Sequence, residues 1–165
     1  MKYTVSTSFG NFTLSLFPED APVTVKNFST YVEENFYNST IFHRVIDGFM
    51  IQGGGFDKNL EEKSTKEPIQ NEANNGLSNK ALTIAMARTS EPHSASSQFF
   101  INLVDNTFLD FNEETSDGWG YAVFGEVIEG QETIFKIGKV QTGTRGFFQD
   151  VPVKPIEIQK ITKLK

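Results

Sequence analysis

The chain has 165 residues and a formal net charge of −6, and it contains no cysteine. An acidic chain of this kind is not expected to bind nucleic acid or an anionic membrane as its main task. The lack of cysteine excludes disulfides and thiolate metal sites and is compatible with a reducing cytosol. Met1 and Lys2 lead directly into alternating residues without the apolar region of a signal peptide, and no stretch approaches the ~20 apolar residues of a membrane span. We therefore expect a soluble, cytoplasmic protein.

The N-terminal part of the chain predicts a hairpin followed by a helix. Apolar and polar residues alternate over 2–8 and 11–17, and Gly10-Asn11 between them is typical of a two-residue turn. Asp20 is then placed to cap a helix over about 22–34, with a proline in its first turn. Apolar residues at spacings of three and four give this helix one face to bury.

The rest of the chain predicts short strands separated by polar loops. Residues 37–45 and 49–53 have strand character, and Asp47-Gly48 between them indicates a hairpin because glycine accepts a positive φ. Residues 56–80 are polar and predict a long surface loop that forms a functional rim. Further elements are expected as strands over 81–88, 97–103, 121–127 and 155–164 and as a short helix over 132–137.

These elements amount to about eight strands and two helices, without internal repeats. Because few strands are separated by helices, a doubly wound parallel sheet is not expected. A closed eight-stranded antiparallel β-barrel, capped by the two helices, removes exposed strand edges and therefore fits best. The last strand breaks its alternation between Ile158 and Ile161, which predicts a bulge there. We expect one domain over residues 1–165.

Two of the predicted strands carry side chains that suit a binding cleft. Side chains repeat with period two on a strand, so Met50 and Gln52 share one face, as do Gln98, Phe100 and Asn102. If the strands pair, they form an apolar patch with one arginine and two amides at its edge. A cleft of this composition suits an apolar group flanked by peptide carbonyls.

Other catalytic constellations are not present in the sequence. His43 and His93 are the only histidines, and neither has metal-ligand spacing. The glycines at 53–55 lack the Gly-Lys-Ser/Thr of a phosphate loop, and Ser96 and Ser97 lack a nucleophile-elbow motif. We therefore expect no metal and no cofactor.

Several motifs together resemble a known family. Residues 42–55 read FHRVIDGFMIQGGG and are followed by SQFFIN at 97–102, with TVKNF, FYNSTIFHRV, NEANNG, AMART and WGYAVFGEV elsewhere in the chain. This pattern resembles the cyclophilin family of peptidyl-prolyl cis-trans isomerases, most closely its bacterial single-domain B-type members, over nearly the whole chain. The resemblance implies a barrel fold independently of the strand pattern described above. It also implies that the barrel interior is packed and that the active site lies on the outer face. It also implies an isomerase that acts on X-Pro bonds in peptides and folding proteins.

The chemistry of such an isomerase requires a single well-placed donor. Resonance opposes rotation of the X-Pro amide with a barrier of ~18–20 kcal/mol. In the twisted transition state the lone pair localises on the prolyl nitrogen, so a donor aimed at that atom stabilises the twisted amide more than the planar one. Arg44 is always charged and carries several donors, and we expect it to be the catalytic residue. Lowering the barrier by about 7–8 kcal/mol accelerates exchange by roughly 10⁵ to 10⁶.

The resemblance also implies the residues that bind the substrate. The pocket for the proline ring is expected to be lined by Phe49, Met50, Phe100 and Leu109, with Phe108 at its edge. The residues expected to hydrogen-bond the peptide or to form a wall are Gln52, Gln98, Ala85, Met86, Ala87 and Tyr121.

Three of these positions depart from the well-known eukaryotic pattern. Phe108 replaces a tryptophan, Tyr121 a histidine and Met86 an asparagine. Because phenylalanine lacks the indole N–H donor, we expect only weak cyclosporin binding, with about 1–2 kcal/mol lost. The expected contact of Met86 is through its backbone, so that change should be tolerated.

Two other functions stay open at this point. The same groove would suit a binding or chaperone module for proline-containing segments, in which catalysis is incidental. Arg44 favours the enzyme, because a pure binder needs no cation at the prolyl nitrogen. A hydrolase or sugar-modifying enzyme would need a nucleophile or a carboxylate pair that the sequence lacks. We expect the partners to be proline-containing peptides and unfolded or folding proteins, and the chain to be a monomer.

Overall fold

Eleven strands and two α-helices make up the computed structural model, which describes residues 1–165. The strands are β1 (Lys2–Thr7), β2 (Gly10–Leu16), β3 (Thr40–Ile41), β4 (Arg44–Ile46), β5 (Met50–Gly53), β6 (Thr83–Met86), β7 (Phe99–Asn102), β8 (Val123–Glu129), β9 (Thr142–Arg145), β10 (Phe148–Pro152) and β11 (Glu157–Leu164). The helices are α1 (Pro22–Glu33) and α2 (Gln131–Gly138). Both helices predicted from the sequence are confirmed, within one residue at each end.

Nine of the strands form one antiparallel sheet in the order β3-β11-β1-β2-β8-β6-β7-β5-β4. Its edge strands β3 and β4 are consecutive in the chain and are joined only by Phe42 and His43, so the sheet curls until these two edge strands lie close to each other. The two edges are not paired with each other. The expected closed eight-stranded barrel is therefore wrong in strand number and in closure, because the chain breaks the predicted strand 37–45 into two short edge strands.

One face of the sheet packs on α1 around a cluster of aromatic rings. Phe28 of α1 is fully buried at the centre of this cluster. Its ring centroid lies 5.3–5.9 Å from those of Tyr3, Tyr37, Phe99 and Phe124. The Tyr37 hydroxyl donates to the Ser97 carbonyl oxygen at 2.8 Å, and burial raises the pKa of Tyr37, so this hydroxyl stays neutral within the core.

The N-terminus of α1 is satisfied from the long loop rather than by its own sequence neighbours. Asp20 was the expected cap, but the helix begins after Ala21 and has no local side-chain cap. The Glu72 carboxylate instead accepts the backbone N–H of Val23 at 3.3 Å and that of Thr24 at 2.7 Å. A carboxylate at this helix end is also favoured by the helix dipole. The 56–80 loop is thereby fixed to α1.

The first hairpin and the last strand test two finer predictions. Thr7 pairs with Gly10, so the turn is Ser8-Phe9 and the predicted Gly10-Asn11 turn is wrong by two residues. On the other side of β1, Ser6 pairs with Lys160 while Thr7 pairs with Ile158. Gln159 is left over between them, which confirms the predicted bulge.

A hairpin that the sequence did not predict lies beside the main sheet. Strands β9 and β10 pair through the two-residue turn Gly146-Phe147, in which Gly146 has a φ of +60°. Phe148 packs on Phe56 with a centroid distance of 5.2 Å, which ties the hairpin to the beginning of the long loop. The loop itself contains one short 3-10 turn, Ala73–Asn75, as expected of a segment with little regular structure. Neither helix has the length and apolar character that membrane crossing requires.

Candidate active site

A cavity of about 150 Å³ lies on the face of the sheet that turns away from the main core. Strands β5 and β7 pair, as the sequence analysis considered, and their register places Gln52 opposite Phe100. Because side chains alternate, Ile51 enters the main core while Met50 and Phe100 belong to a separate small apolar cluster under the cavity. The cavity is lined by Arg44, Phe49, Met50, Gln52, Ala87, Arg88, Phe100, Leu109 and Tyr121.

Phe49 and Met50 reach the same cavity although they are neighbours in the chain. Strands β4 and β5 pair with Ile46 opposite Met50, which leaves a three-residue turn over 47–49. Gly48 in this turn has a φ of +75°, a conformation that glycine adopts without steric cost. Phe49 is therefore a turn residue and is freed from the alternation that applies to Met50.

Buried asparagines hold the rim of the cavity in place. The Asn106 side-chain amide donates to the carbonyl oxygen of Phe49 at 2.9 Å. Asn79, which is fully buried, donates through its side-chain amide to the carbonyl oxygens of Leu109 and Tyr121, at 3.3 Å each. Three of the residues that line the cavity are thus fixed through their backbones.

Arg44 is exposed at the edge of the cavity, on β4, directly opposite Gln52. Its Nη1 donates to Gln52 Oε1 at 3.4 Å, and Gln52 Nε2 donates to Gln98 Oε1 at 3.0 Å. No carboxylate pairs with Arg44, because the two ion pairs of the chain lie elsewhere, between Lys66 and Glu34 and between Lys139 and Asp47. Most of the guanidinium donors therefore remain available to a ligand.

The other residues predicted for the site lie around the cavity rather than in its lining. Ala85 is buried in the small apolar cluster beneath the cavity, whereas alternation along β6 turns the Met86 side chain into the main core. Gln98 lines a neighbouring cavity. Phe108 is 74 % exposed and stacks on Phe49 at a centroid distance of 5.9 Å. The remaining predicted residues all line the cavity.

Arg88 lines the cavity and was missed in the sequence. It follows β6, and its guanidinium carbon lies 4.5 Å from the centre of the Tyr121 ring. Its Nε donates to the Gly120 carbonyl oxygen and its Nη1 to the Thr89 carbonyl oxygen, each at 2.9 Å. The AMART segment contains this arginine, but nothing in its local pattern distinguishes it from a solvated surface residue.

Comparison with known proteins assigns the chain to a family. The family model described as "Cyclophilin type peptidyl-prolyl cis-trans isomerase/CLD" matches residues 2–163. The chain belongs to the cyclophilin-type peptidyl-prolyl cis-trans isomerases. It is therefore an enzyme that interconverts the cis and trans forms of peptidyl-prolyl bonds.

Relatives of this cyclophilin are similar to it over nearly the whole of this chain. Peptidyl-prolyl cis-trans isomerase B of Escherichia coli is 56 % identical over 159 residues, which cover 96 % of this chain and 97 % of that protein. Peptidyl-prolyl cis-trans isomerase A of Dickeya dadantii is 55 % identical over 161 residues, covering 98 % of this chain and 83 % of that protein. A crystal structure of a Cryptosporidium parvum cyclophilin, determined in the presence of the dipeptide Ala-Pro, superposes with a TM-score of 0.85 at 26 % identity and covers 100 % of this chain and 99 % of that one.

A second cavity of about 340 Å³ adjoins the first in this cyclophilin and shares Gln52, Ala87 and Arg88 with it. His43 lies in its wall, only 6 % exposed, with its ring 4.6 Å from that of Phe56. The Nδ1 atom of His43 has no hydrogen-bond partner. Burial, together with the nearby positive charge of Arg44, lowers the pKa of His43 from 6.5 to about 4. The imidazole is therefore neutral at physiological pH.

This buried histidine predicts a loss of stability in acid. Since the unfolded chain binds the His43 proton near pH 6.5 and the folded chain only near pH 4, the unfolded state binds more protons between these values. The contribution of neutral, buried His43 to the free energy of unfolding is fully present above pH 6.5 and is lost as the pH falls towards 4. We expect about 3 kcal/mol of unfolding free energy to be lost over this window because of His43.

Urea unfolding of the wild type and of His43→Gln at several pH values tests this prediction. The contribution of His43 is the part of the difference in unfolding free energy between the two proteins that changes with pH. His93→Gln, at the other histidine of the chain, which lies exposed, is measured alongside as the control. Parallel pH profiles for wild type and His43→Gln would contradict the prediction.

Proposed function

We propose that Arg44 is the catalytic residue and that it donates a hydrogen bond to the prolyl nitrogen of the twisted X-Pro amide. The observation that carries this proposal is the position of an unpaired guanidinium at the rim of an otherwise largely apolar cavity. In the planar amide the nitrogen lone pair is delocalised and accepts poorly, whereas rotation localises it. A fixed donor at that point therefore stabilises the transition state more than the bound substrate.

The cavity beside Arg44 is proposed to hold the proline ring. Met50, Phe100 and Leu109 supply apolar walls, and a volume of about 150 Å³ suits a single small ring, since an engineered apolar cavity of that size binds benzene. Burial of the ring fixes the prolyl side of the bond, so that rotation occurs at the carbonyl of the preceding residue. The largely buried Met50 and Phe100 cannot shift easily, which keeps the ring aligned with the guanidinium.

Gln52 and Gln98 are proposed to hold the peptide backbone on the two sides of the proline. Their side chains already form one hydrogen-bonded row that starts at Arg44. Each amide retains further donors and acceptors that suit peptide groups. The crystallisation of the Cryptosporidium parvum relative in the presence of Ala-Pro supports a short proline-containing peptide as the minimal substrate.

The wider role follows from this minimal substrate. We infer that the chain acts as one domain over residues 1–165, as a monomer in the cytoplasm, on proline-containing peptides and on unfolded or folding proteins. Uncatalysed X-Pro exchange takes tens to hundreds of seconds and can limit the rate of folding, so such proteins benefit directly from acceleration. Neither a metal nor a cofactor enters this mechanism.

The three methionines of the chain allow a direct test of where the peptide binds. Met50 lines the cavity, Met86 lies in the main core and Met1 is exposed. In protein labelled with ¹³C at the methionine methyl groups, an Ala-Pro peptide should shift the Met50 signal and leave the Met1 and Met86 signals unchanged. Under the same conditions, substoichiometric protein should produce exchange between the cis and trans resonances of the peptide.

Two results would contradict the proposal. A shift of Met1 or Met86 without a shift of Met50 would place the peptide elsewhere on the protein. A shift of Met50 without accelerated exchange would make the cavity a binding site for proline-containing segments instead of a catalytic one.

A further inference from the structure

The electrostatic character of the cavity differs from that of the protein as a whole. The chain carries a net charge of −6, yet the only charged residues that line the cavity are Arg44 and Arg88. Neither guanidinium forms an ion pair, because the two ion pairs of the chain involve lysines. Two uncompensated cations beside one small apolar cavity favour an anion next to that cavity, since a low-dielectric wall concentrates their field.

Arg88 is held in a way that leaves part of its donor set unused. Its Nε and Nη1 donate to two backbone carbonyl oxygens, and its guanidinium carbon lies over the Tyr121 ring, 4.5 Å from the ring centre. Nη2 makes no hydrogen bond to the protein. The Tyr121 ring in turn meets Phe100 edge-to-face, at a centroid distance of 5.7 Å. The guanidinium is therefore preorganised at the cavity wall, and little rotamer entropy is lost when it binds a ligand.

Arg88 also lies where the two cavities meet. It is shared between the cavity proposed for the proline ring and the adjoining larger one, whose only carboxylate, Glu62, is exposed. A peptide whose proline occupies the first cavity passes this point with a side chain next to the proline. The cation is thus placed to select among substrates rather than to act on the rotating bond.

We propose that Arg88 is a specificity-determining residue that gives this cyclophilin a preference for prolines with an acidic side chain next to them. The inference rests on the proposed function, because it takes the first cavity as the proline site. Arg44 donates a hydrogen bond to the rotating amide, and Arg88 attracts the carboxylate of a glutamate or aspartate that precedes or follows the proline. The attraction is partly exposed, so it favours acidic peptides by a modest factor that salt reduces.

The test compares peptides that differ only in one charge. One pair of tetrapeptides carries Glu or Gln directly before the proline, and a second pair carries Glu or Gln directly after it. We expect kcat/KM of the wild type to be about twofold to fivefold higher for Glu than for Gln in at least one pair at low ionic strength, and this ratio to fall in high salt. Arg88→Gln should bring the ratio close to one.

The matched control is Arg145→Gln, which removes the same charge at a residue that lines neither cavity. It should keep the wild-type Glu-to-Gln ratio. Arg88→Lys separates charge from packing, since it retains the charge but not the guanidinium that lies over the Tyr121 ring, and it should keep part of the preference.

The outcomes separate this inference from the proposed function. If the wild type accelerates all four peptides but shows no Glu preference in either pair, the inference is wrong and the isomerase mechanism stands. If Arg88→Gln slows Glu and Gln peptides by the same factor, Arg88 only supports the Tyr121 ring and the inference is again wrong. If no peptide is accelerated by the wild type, it is the proposed function that fails.

Discussion

Arg44→Ala is expected to lower kcat/KM for an Ala-Pro peptide by about 10² to 10³ while the protein stays folded. This is the loss typical of removing one preorganised donor from a transition state, equivalent to about 3–4 kcal/mol. The side chain is exposed and contributes only one long hydrogen bond, to Gln52, so its removal should hardly affect stability. The rate is measured by cis–trans exchange of the peptide, and the fold by urea unfolding of the same preparation.

Arg44→Lys distinguishes the donor from the charge. A lysine retains the positive charge but lacks the planar set of donors of a guanidinium and cannot keep the Gln52 contact in the same geometry. We therefore expect it to restore only a small part of the lost rate. The mechanism would be contradicted by a folded Arg44→Ala protein whose kcat/KM stays within about threefold of wild type. It would also be contradicted if Arg44→Lys were fully active, since a point charge would then suffice.

Phe28→Ala is expected to cost about 3–5 kcal/mol of unfolding free energy, the largest stability effect that we predict for a single side chain. Phe28 is fully buried and its ring meets four other aromatic rings contributed by β1, the segment before β3, β7 and β8. Truncation leaves a cavity that these neighbouring rings cannot fill, because their own positions are fixed by the sheet. Urea unfolding gives the change directly.

Phe147→Ala is the matched control for this substitution. Phe147 is wholly exposed at the tip of the β9–β10 hairpin, so the same change should stay within about 0.5 kcal/mol of wild type. If Phe28→Ala does not fold, Phe28→Leu should give an intermediate loss, because it removes fewer buried atoms. A loss below about 1 kcal/mol for Phe28→Ala would show that the aromatic cluster is not the centre of the core.

Alternation of apolar and polar residues is sufficient to predict much of this fold. It assigns Met50 and Ile51 to opposite faces, and the two faces of the sheet do bury different clusters. It cannot predict that Phe42 and His43 separate two edge strands, because both residues are buried and fit a continuous strand equally well. The β9–β10 hairpin is missed for a different reason: β9 is largely exposed and carries no apolar pattern.

The candidate site is predictable where it lies on strands and in motifs, and less so where distant segments meet. Arg44, Met50, Gln52 and Phe100 lie on paired strands, so period and register bring them together. The asparagines that hold the rim act across large separations: Asn106 binds the Phe49 carbonyl from 57 residues away. The same applies to Arg88, whose partner Gly120 is 32 residues along the chain. Contacts between residues so far apart in the chain cannot be predicted from the local sequence.

The order of strands also has a consequence for synthesis on the ribosome. Strand β11, the last to be made, lies between β3 and β1 and pairs with β1 from Lys2 opposite Leu164 onwards. A nascent chain, growing at roughly 5–20 residues per second, therefore carries β1 and β3 with unpaired edges until β11 emerges. Such edges are templates for pairing with other chains. The stretch of synthesis before β11 forms is thus the period in which this fold is most exposed to pairing with other chains.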